Sequence, residues 1–564
     1  MINRFLTATV WALVALVLCS LIPAQAQERA HSFIFGVDLS YVNEMEDCGA
    51  VYRENGQPRD PFALFAERGA TLVRARLWHN PVWTDYSTLD DVKRTFYRAR
   101  DAGMITMLDI HYSDTWADAG RQQIPAAWEG LNIDQLVDAV YQYTSDILAE
   151  LAAEGLTPAF VQIGNETNGG ILKRGASQDW AGDARLFNAG IRAVREFSRD
   201  IRIVLHVAQP EHTLWWFTQV EAAGVIDFDV IGVTYYPQWS TFSIADMGSH
   251  VTTLRQRFGK EVMILETGYG WTRTTAGDAA NNVLDQGVRG YSFSPEGQHR
   301  FLNDLTQSLI SNGALGVIYW EPAWVSTGCS TQWGRGSHWE NATFFDFQNQ
   351  NEVFEGINFL NDSYAIPVVL VDSEIETDYG DPLVQDADGD VLNGVAALDL
   401  LELYTRMDDR WLHIAFSVAG DVVKREGSYL LYIDATGDTE GATADVDQRR
   451  ITIAEPYEPE YRLDITIREE SGSCIGGYGF SAWTGSEWEA RTFTGAGAIR
   501  CGVPSVIEVQ IPLALLGSSR LMNMALVSAD GGQAGSASDI LGADFDLAAF
   551  EQGLVLEHFF TVAQ

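Results

Sequence analysis

Two short runs of the sequence each place a glutamate directly after an apolar stretch. Residues 159–166 (AFVQIGNE) end at Glu166, and residues 262–266 (VMILE) end at Glu266. An apolar run of this length predicts a buried strand that delivers the carboxylate to one edge of a sheet. Two carboxylates in one site can act as acid and base, because their surroundings can keep one protonated and the other ionised. Glu166 and Glu266 are therefore our candidate catalytic pair.

The elements that position this pair follow an alternating pattern between residues 33 and 360. Apolar or β-branched runs predict eight strands, at 34–40, 71–78, 105–112, 159–166, 202–209, 230–237, 262–269 and 315–322. Amphipathic stretches between them predict helices, for example at 133–154, 179–199, 244–258 and 296–312. Eight alternations are typical of the α/β class (β/α)8 TIM barrel, whose right-handed crossovers extend one parallel sheet until it closes. An open doubly wound sheet is disfavoured, since no Gly-rich phosphate loop follows the first strand.

The C-terminal ends of these strands are polar and aromatic, and barrel enzymes place their chemistry there. Strands 4 and 7 lie on opposite sides of a small barrel, so Glu166 and Glu266 can face each other across its mouth. Glycoside hydrolysis uses such a pair, with carboxyl groups about 5 Å apart for retention and farther apart for inversion. Strand alternation turns Arg74 and Arg76 inward on strand 2, where we expect them to keep Glu266 ionised.

Tryptophans cluster in or just after the predicted strand ends. Flat aromatic rings are suitable platforms for the apolar faces of sugars, and we expect three or four of these residues to bind sugar while the others pack in the core. The set is Trp78, Trp83, Trp116, Trp128, Trp239, Trp271, Trp320, Trp324 and Trp339.

Composition and charge exclude several classes of partner. The formal net charge is -40 and the sequence pI is about 4.4, which argues against a nucleic-acid or anionic-membrane binder. Arg4, an apolar run at 10–22 and the small residues at 24–26 have the order of a signal peptide. We therefore predict a signal peptide at 1–26, cleavage near Ala26, and secretion to the cell exterior or the periplasm without a membrane anchor.

The length of 564 residues predicts more than one domain. We assign residues 27–360 to the catalytic barrel, 361–380 to a linker and 381–564 to an all-β sandwich domain. The strands predicted in the sandwich lie at 411–418, 429–434, 461–467, 487–493, 506–512 and 522–527.

Four cysteines remain once Cys19 is removed with the signal peptide, and an even number in an exported chain favours disulfides. In a closed barrel, strand 8 lies beside strand 1, so the loops that carry Cys48 and Cys329 are neighbours. We therefore predict a Cys48–Cys329 bridge in the barrel, and a Cys474–Cys501 bridge inside the sandwich.

Several segments together resemble glycoside hydrolase family 53, the endo-β-1,4-galactanases. The resemblance covers roughly residues 33 to 350, and the run HYSDTWAD at 111–118 is its most specific part. The other segments are GVDLS at 36–40, VRARLW at 73–78, VQIGNE at 161–166, YYP at 235–237, ETGY at 266–269 and YWEPAW at 319–324.

The resemblance implies a retaining enzyme in which Glu166 is the acid/base and Glu266 is the nucleophile. It implies a galactan polysaccharide of plant or algal type as substrate, and Asn165 as the residue that binds the sugar 2-hydroxyl. We expect a monomer that needs no cofactor for catalysis. The substrate-binding set is Asn165, Arg74, Arg76, His111, Asp114, Trp116, Tyr235, Tyr236, Trp271 and Trp320.

Two alternatives stay open. One is another retaining β-glycanase of the same clan, acting on mannan or glucan. The other is a carbohydrate-binding protein whose barrel has lost its activity, although the presence of both Glu166 and Glu266 argues against it.

The C-terminal region more loosely resembles carbohydrate-binding family 9 or DOMON-like sandwiches, on the run LLYIDATGD at 430–438. Before it, Asp386, Asp388 and Asp390 alternate around a glycine. Such carboxylates can bind a structural calcium ion, but the full twelve-residue EF-hand pattern is missing and a solvated loop fits equally well.

Overall fold

The computed structural model describes residues 33–564 except 176, 278–280, 366–370, 372, 374, 376–378, 392–393, 409, 425–426, 437–440, 446–450, 471–472, 531–536, 543–553 and 564. The signal peptide predicted at 1–26 lies outside the described residues, as does part of the predicted linker. Within the described part of the chain, every helix is too short or too polar to cross a lipid bilayer.

Eight parallel strands close into a barrel in chain order. They are β1 Ile34–Asp38, β2 Leu72–Leu77, β3 Ile105–Ile110, β4 Phe160–Ile163, β5 Arg202–Ala208, β6 Val230–Thr234, β7 Glu261–Thr267 and β8 Gly316–Tyr319. The barrel closes because β1 pairs with both β2 and β8. The predicted TIM barrel is therefore confirmed. All eight strands end earlier than predicted, because the polar residues after them belong to the loops that form the mouth.

Helices surround the barrel, and side-chain caps begin several of them. Asn132 and Gln135 form a capping box at the start of the helix Ile133–Ala153, and Ser243 and Asp246 form another at the start of Ile244–Phe258. After β8, a 3₁₀ turn at Glu355–Leu360 packs against the helix Pro295–Ser311. The helices are α1 Val42–Asp47, α2 Pro61–Glu67, α3 Leu89–Asp101, α4 Ile133–Ala153, α5 Trp180–Phe197, α6 Pro210–Ala222, α7 Ile244–Phe258 and α8 Pro295–Ser311.

The barrel interior is built in two layers of opposite character. The lower layer is a closed apolar cluster of Leu72, Met107, Phe160, Val204, Val230, Met263, Leu265 and Ile318. Because alternate residues of a strand face the same side, the next inward positions form a polar layer above it. That layer contains Asp38, Arg74, Asp109, Gln162, His206, Thr234 and Glu266.

A sandwich of two antiparallel sheets follows the barrel. The strands are β9 Val384–Gln385, β10 Leu400–Met407, β11 Trp411–Val418, β12 Gly427–Asp434, β13 Ile451–Ile453, β14 Tyr461–Glu470, β15 Ser473–Trp483, β16 Trp488–Arg491, β17 Ala496–Arg500, β18 Ser505–Pro512, β19 Leu521–Asp530, β20 Ala537–Ile540, β21 Leu554–Leu556 and β22 Phe560–Ala563. One sheet has the order β9-β10-β11-β18-β17, and the other has the order β16-β15-β14-β12-β19-β20, with β22 also paired to β19. All six strands predicted here are present, and the others were missed.

Both predicted disulfides are confirmed. Cys48 and Cys329 are joined with a Cα–Cα distance of 5.9 Å, which ties the loop after β1 to the loop after β8. Cys474 and Cys501 are joined within the sandwich, with a Cα–Cα distance of 6.1 Å.

Helix α7 belongs to both parts of the molecule. Its inner side packs in the barrel core through residues such as Ile244 and Val251, while Ala245 belongs to the core cluster of the sandwich. The hydroxyl of Thr252 donates to the carbonyl of Val371, at 3.1 Å. The outer face of this helix is therefore covered by the sandwich and by the segment that precedes it.

Candidate active site

Glu166 lies in the tight turn after β4. Gly164 has a φ of 82° and Glu166 itself a φ of 43°, a left-handed conformation that non-glycine residues rarely adopt. The hydroxyl of Thr234, at the end of β6, donates to Oε1 of Glu166 at 2.7 Å. Backbone strain of this kind persists where surrounding contacts fix it, and it is common at functional sites.

Glu266 reaches the mouth through a β-bulge in β7. Val233 of β6 pairs with Ile264 but the next residue, Thr234, pairs with Glu266, so Leu265 is an extra residue. Leu265 points into the apolar layer, where the absence of a side chain at Gly232 makes room for it, since a Cβ there would lie 2.3 Å from Leu265 Cδ1. The bulge therefore turns Glu266 inward directly after another inward residue.

The two glutamates meet at the bottom of the mouth. One carboxylate oxygen of Glu166, one of Glu266 and a ring nitrogen of His206 all lie within 4.8 Å of one another. Retaining glycosidases have carboxyl groups about 5 to 5.5 Å apart, whereas inverting ones need about 6.5 to 9.5 Å. The separation therefore fits direct attack by one carboxylate on the sugar.

Arg74 is the centre of the polar layer and is 1% exposed. Its guanidinium donates to groups on β1, β3, β4, β7 and the turn after β4, and so connects much of the barrel. The acceptors are Asp38 Oδ2 at 2.9 Å, Asp109 Oδ2 at 2.9 Å, Gln162 Oε1 at 3.1 Å, Asn165 Oδ1 at 2.8 Å and Glu266 Oε1 at 3.0 Å.

The electrostatics keep a proton on the glutamate pair. Burial raises the pKa of Glu266 to about 8, with Arg74 opposing it and the charge of Glu166 adding to it. Burial also raises the pKa of Glu166. Because the two groups interact, the proton belongs to the pair. Glu266 accepts hydrogen bonds from Arg74 and from the Tyr236 hydroxyl at 3.2 Å, so the ionised form is better stabilised there.

Arg74 thus contacts Glu266 as the sequence predicts, although burial outweighs its effect on the pKa. Arg76 does not have the predicted partner: its Nη1 lies 3.3 Å from Oε1 of Glu321, and its guanidinium lies over the rings of Tyr41 and Trp116. Arg76 is the next inward residue of β2 after Arg74 and lies nearer the mouth, so it reaches Glu321, the acid that follows β8.

Two buried histidines, His111 and His206, belong to the floor of the site. The N–H of Ala117 donates to Nδ1 of His111, so Nε2 carries the proton that faces Asp109 at 3.0 Å. Although burial raises it, the pKa of Asp109 falls to about 2 because Arg74 and His111 lie beside it. Burial lowers the pKa of His111, and it lowers that of His206 well below its ordinary value.

A cleft of about 520 Å³ opens above the pair. Seven of the predicted substrate-binding residues line it: Arg74, Arg76, His111, Trp116, Asn165, Tyr236 and Trp320. Together with both glutamates, they give the cleft a charged floor and aromatic walls.

Tyr235 does not line this cleft. Its hydroxyl donates to the carbonyl of Phe242 at 2.9 Å, and its ring packs in the core between barrel and helices. Adjacent residues after a strand point to opposite sides, so Tyr236 alone faces the mouth.

Trp271 and Asp114 also have other positions than predicted. Trp271 is buried against Phe347 and Phe354, because the loop after β7 folds back on the chain that follows β8. The carboxylate of Asp114 accepts from the N–H groups of Asn80, at 3.0 Å, and Ala126, at 2.8 Å. It holds two loops together beside the cleft.

Sequence reasoning missed some residues of the cleft as site residues, notably Asp118, Trp333 and His338. Asp118 closes the HYSDTWAD motif, which was a usable signal. Trp333 and His338 lie in a long polar loop after Cys329, where no strand or helix period marks them. Trp333 is 45% exposed and Trp239 is 49% exposed, so both can offer a ring face to a ligand.

The aspartates predicted as a calcium loop are only partly brought together. Asp390 lies in a cluster with Asp399 and Asp539. Asp388 is exposed, and the carboxylate of Asp386 accepts from the N–H of Gly542.

Comparison with known proteins identifies the barrel. Residues 34–360 match the family model described as Glycosyl hydrolase family 53. The chain belongs to glycosyl hydrolase family 53. It is therefore a glycoside hydrolase, and the family assigned from the sequence is confirmed.

This family 53 chain is also similar to two curated relatives and to one solved structure. An arabinogalactan endo-beta-1,4-galactanase of Cellvibrio japonicus is 50% identical over 343 residues, which cover 59% of this chain and 91% of the relative. An endo-beta-1,4-galactanase of Bacillus subtilis is 33% identical over 313 residues, covering 53% and 72%. The Ignisphaera aggregans GH53 catalytic domain superposes with a TM-score of 0.55 at 32% identity, covering 59% of this chain and 97% of that one.

Proposed function

We propose that the chain is a retaining endo-β-1,4-galactanase that hydrolyses β-1,4-galactan or type I arabinogalactan. The observation that carries this proposal is the pair of carboxylate oxygens within 4.8 Å of each other at the floor of the cleft. The family membership and the galactanase names of the relatives support the substrate. The exposed rings of Trp239 and Trp333 give the cleft platforms on which a polysaccharide can lie.

In the first step, an oxygen of Glu266 attacks the anomeric carbon and forms a glycosyl-enzyme ester. The glycosidic C–O bond breaks, and Glu166 gives its proton to the leaving oxygen. Burial favours the protonated form of Glu166, while Arg74 and Tyr236 donate to the carboxylate of Glu266. The site thus begins the reaction with the proton on the acid and the charge on the nucleophile.

In the second step, Glu166 has become a carboxylate and takes a proton from water. The hydroxide equivalent attacks the anomeric carbon, breaks the ester and frees Glu266. Two displacements on the same carbon leave the β configuration unchanged. Asn165 is held by Arg74 and by the carbonyl of Ala117, to which its amide donates at 2.9 Å, and in this position we expect it to bind the sugar 2-hydroxyl.

The roles of the two glutamates can be separated with azide. Glu266→Ala, supplied with an aryl β-1,4-galactobioside and azide, should give the α-glycosyl azide, because azide replaces the nucleophile. Glu166→Ala should give the β-azide, because azide then attacks the glycosyl-enzyme. The reverse pattern would exchange the roles, and activity on galactan near that of a surface control, Glu150→Gln, would refute the pair.

The stereochemistry is tested by NMR on the first products. β-Anomers should appear before mutarotation, and α-anomers appearing first would overturn retention. A parallel panel of galactan, mannan and glucan, assayed for reducing ends, tests the substrate.

We also propose that the chain is exported after cleavage near Ala26 and works as a monomer. The order of charged, apolar and small residues at 1–26 supports export. Sequencing the N-terminus of the exported protein and measuring its mass in solution check both statements.

The sandwich supports a second proposal, that it holds the enzyme on polysaccharide. Trp483 and Trp488 lie on the neighbouring strands β15 and β16, are partly exposed, and have ring centroids 5.7 Å apart. Two indoles at one edge of a sheet can stack on a sugar chain. Trp483→Ala should weaken retention of the full chain in a galactan-containing gel while leaving hydrolysis of short oligomers unchanged. Equal retention would remove this proposal.

A further inference from the structure

Three aspartates from separate parts of the sandwich meet in one place. Asp390 lies after β9, Asp399 lies just before β10, and Asp539 lies in β20. One carboxylate oxygen of each lies within 4.8 Å of the others. Three like charges this close repel each other strongly unless a cation lies between them.

Two of these carboxylates are held in place on one side only. Oδ2 of Asp399 accepts from the N–H of Gly389 at 2.8 Å, and Oδ2 of Asp539 accepts from the N–H of Leu400 at 2.7 Å. Oδ1 of each is buried and has no hydrogen-bond partner, and the two residues are 1% and 0% exposed. Buried acceptors without partners are costly, more so when charged, so these two oxygens point to a missing ligand.

The protonation tendencies agree with this geometry. Burial, together with the neighbouring aspartates, raises the pKa of Asp399 to about 6 and that of Asp539 to about 7. A cation at the centre of the cluster would offset both causes.

The ligand atoms indicate the class of cation, and oxygen atoms within 4.8 Å of one another are compatible with calcium. All are carboxylate oxygens, which suit hard cations, whereas zinc prefers sites that include sulfur or nitrogen. Calcium binds oxygen at about 2.3 to 2.6 Å, so two ligands on opposite sides of it lie about 4.6 to 5.2 Å apart. Magnesium demands shorter bonds and usually keeps several waters. We propose that Asp390, Asp399 and Asp539 form a calcium site in the sandwich.

This site differs from the calcium loop expected from the sequence, because two of its ligands, Asp399 and Asp539, lie outside that loop. The ion would join the segment after β9 to the start of β10 and to β20. Asp386, which accepts from the N–H of Gly542, already connects the segment after β9 to the residues that follow β20. Calcium would therefore act as a cross-link near one end of the sandwich.

The proposal is tested by titrating the chelator-treated full chain with CaCl₂ and, separately, with MgCl₂ in a calorimeter. We expect calcium to bind more tightly than magnesium. Asp399→Asn and Asp539→Asn should each weaken the calcium affinity by about 100-fold or more, because each removes a charged ligand. Asp381→Asn, an exposed aspartate outside the cluster, should bind as the wild type does.

Thermal unfolding separates a lost ligand from a damaged fold. The side-chain oxygen of asparagine can still accept from Gly389 or Leu400, so both variants should fold. In EDTA they should unfold at or above the wild-type temperature, since one repelling charge is gone. Added calcium should raise the unfolding temperature of the wild type but not of the variants. A wild type indifferent to calcium, or variants that bind and respond equally, would overturn the proposal.

Discussion

Two regions of the molecule bury several carboxylates together, and they neutralise them differently. In the barrel, Arg74 lies between Asp38, Asp109 and Glu266, and although burial raises it, the pKa of Asp109 falls to about 2. In the sandwich, burial and the neighbouring aspartates raise the pKa of Asp539 to about 7. In the barrel the neutralising cation is the guanidinium of Arg74, and in the sandwich we propose that it is a calcium ion taken from solution.

The difference teaches what each region requires. Chemistry at Glu266 needs a field that is the same in every molecule, and a guanidinium fixed by five acceptors provides it. A structural cross-link only has to stabilise the fold while the ion is bound, so an exchangeable ion suffices. As a consequence, the stability of the sandwich depends on the calcium concentration around it.

The largest expected effect comes from replacing the fixed cation. Arg74→Lys keeps the positive charge, but an ammonium group cannot reach all five acceptors that the planar guanidinium of Arg74 contacts. We expect kcat/KM on galactan to fall about 10³-fold or more, and the free energy of unfolding to fall by about 3 to 5 kcal/mol, as when other buried pairs are broken.

Steady-state kinetics and urea unfolding measure these two losses. Arg94→Lys is the matched control, because Arg94 pairs with Asp47 at the surface, where both side chains are well exposed. A fall in kcat/KM of less than about tenfold for Arg74→Lys would show that the positive charge alone is enough.

A smaller effect should follow from removing one donor to the nucleophile. Tyr236→Phe loses the hydrogen bond to Oε2 of Glu266. Bonds to charged groups contribute about 1.5 to 3 kcal/mol, so kcat should fall about 10- to 100-fold with the fold intact. Tyr235→Phe is the neighbouring control: its hydroxyl bonds to Phe242 outside the cleft, so stability should fall and kcat should not. Equal kinetic losses in both variants would contradict the assigned geometry.

The pH dependence of kcat/KM tests how far Arg74 offsets the negative charges of the acids around it. Because the pKa of Glu266 is raised to about 8 and the pair holds one proton, that proton is lost above this pH and the rate should fall. Asp38 is one of the charges that raise this pKa. Asp38→Asn should therefore move the alkaline limb to lower pH, by about one unit. A limb that stays in place or moves upward would count against this electrostatic account.

The smallest effect is expected in the sandwich, at Asp388. This residue is exposed and lies outside the trio, so Asp388→Asn should weaken calcium binding by less than about threefold. Calorimetry decides the point. If Asp388→Asn weakened the calcium affinity as much as Asp399→Asn does, Asp388 would be a ligand, as in the loop predicted from the sequence.

Much of the barrel site was readable from the sequence because it follows periodicity. Alternation on β2 correctly turned Arg74 and Arg76 inward, and the strand order brought Glu166 and Glu266 together. The same rule, applied without the bulge at Leu265, would turn Glu266 outward. The bulge depends on Gly232 of the neighbouring strand, a tertiary contact that no local pattern reveals.

Other features were unreadable for related reasons. The strand Ser473–Trp483 is rich in glycine, which weakens strand propensity, so it was missed. Trp271 and Tyr235 follow strands as site residues do, and only loop packing turns them away from the cleft. Asp399 and Asp539 lie far apart in sequence, and they meet because β10 and β20 belong to two sheets packed on each other.

Helix α7 carries a practical consequence for anyone who divides this protein. A barrel expressed without residues 381–564 would expose the side of α7 on which Ala245 lies, because the sandwich residues that cover it would be gone. Such a fragment would tend to aggregate for reasons unrelated to catalysis or to sugar binding. The two parts are therefore better dissected by point substitutions in the whole chain than by cutting between them.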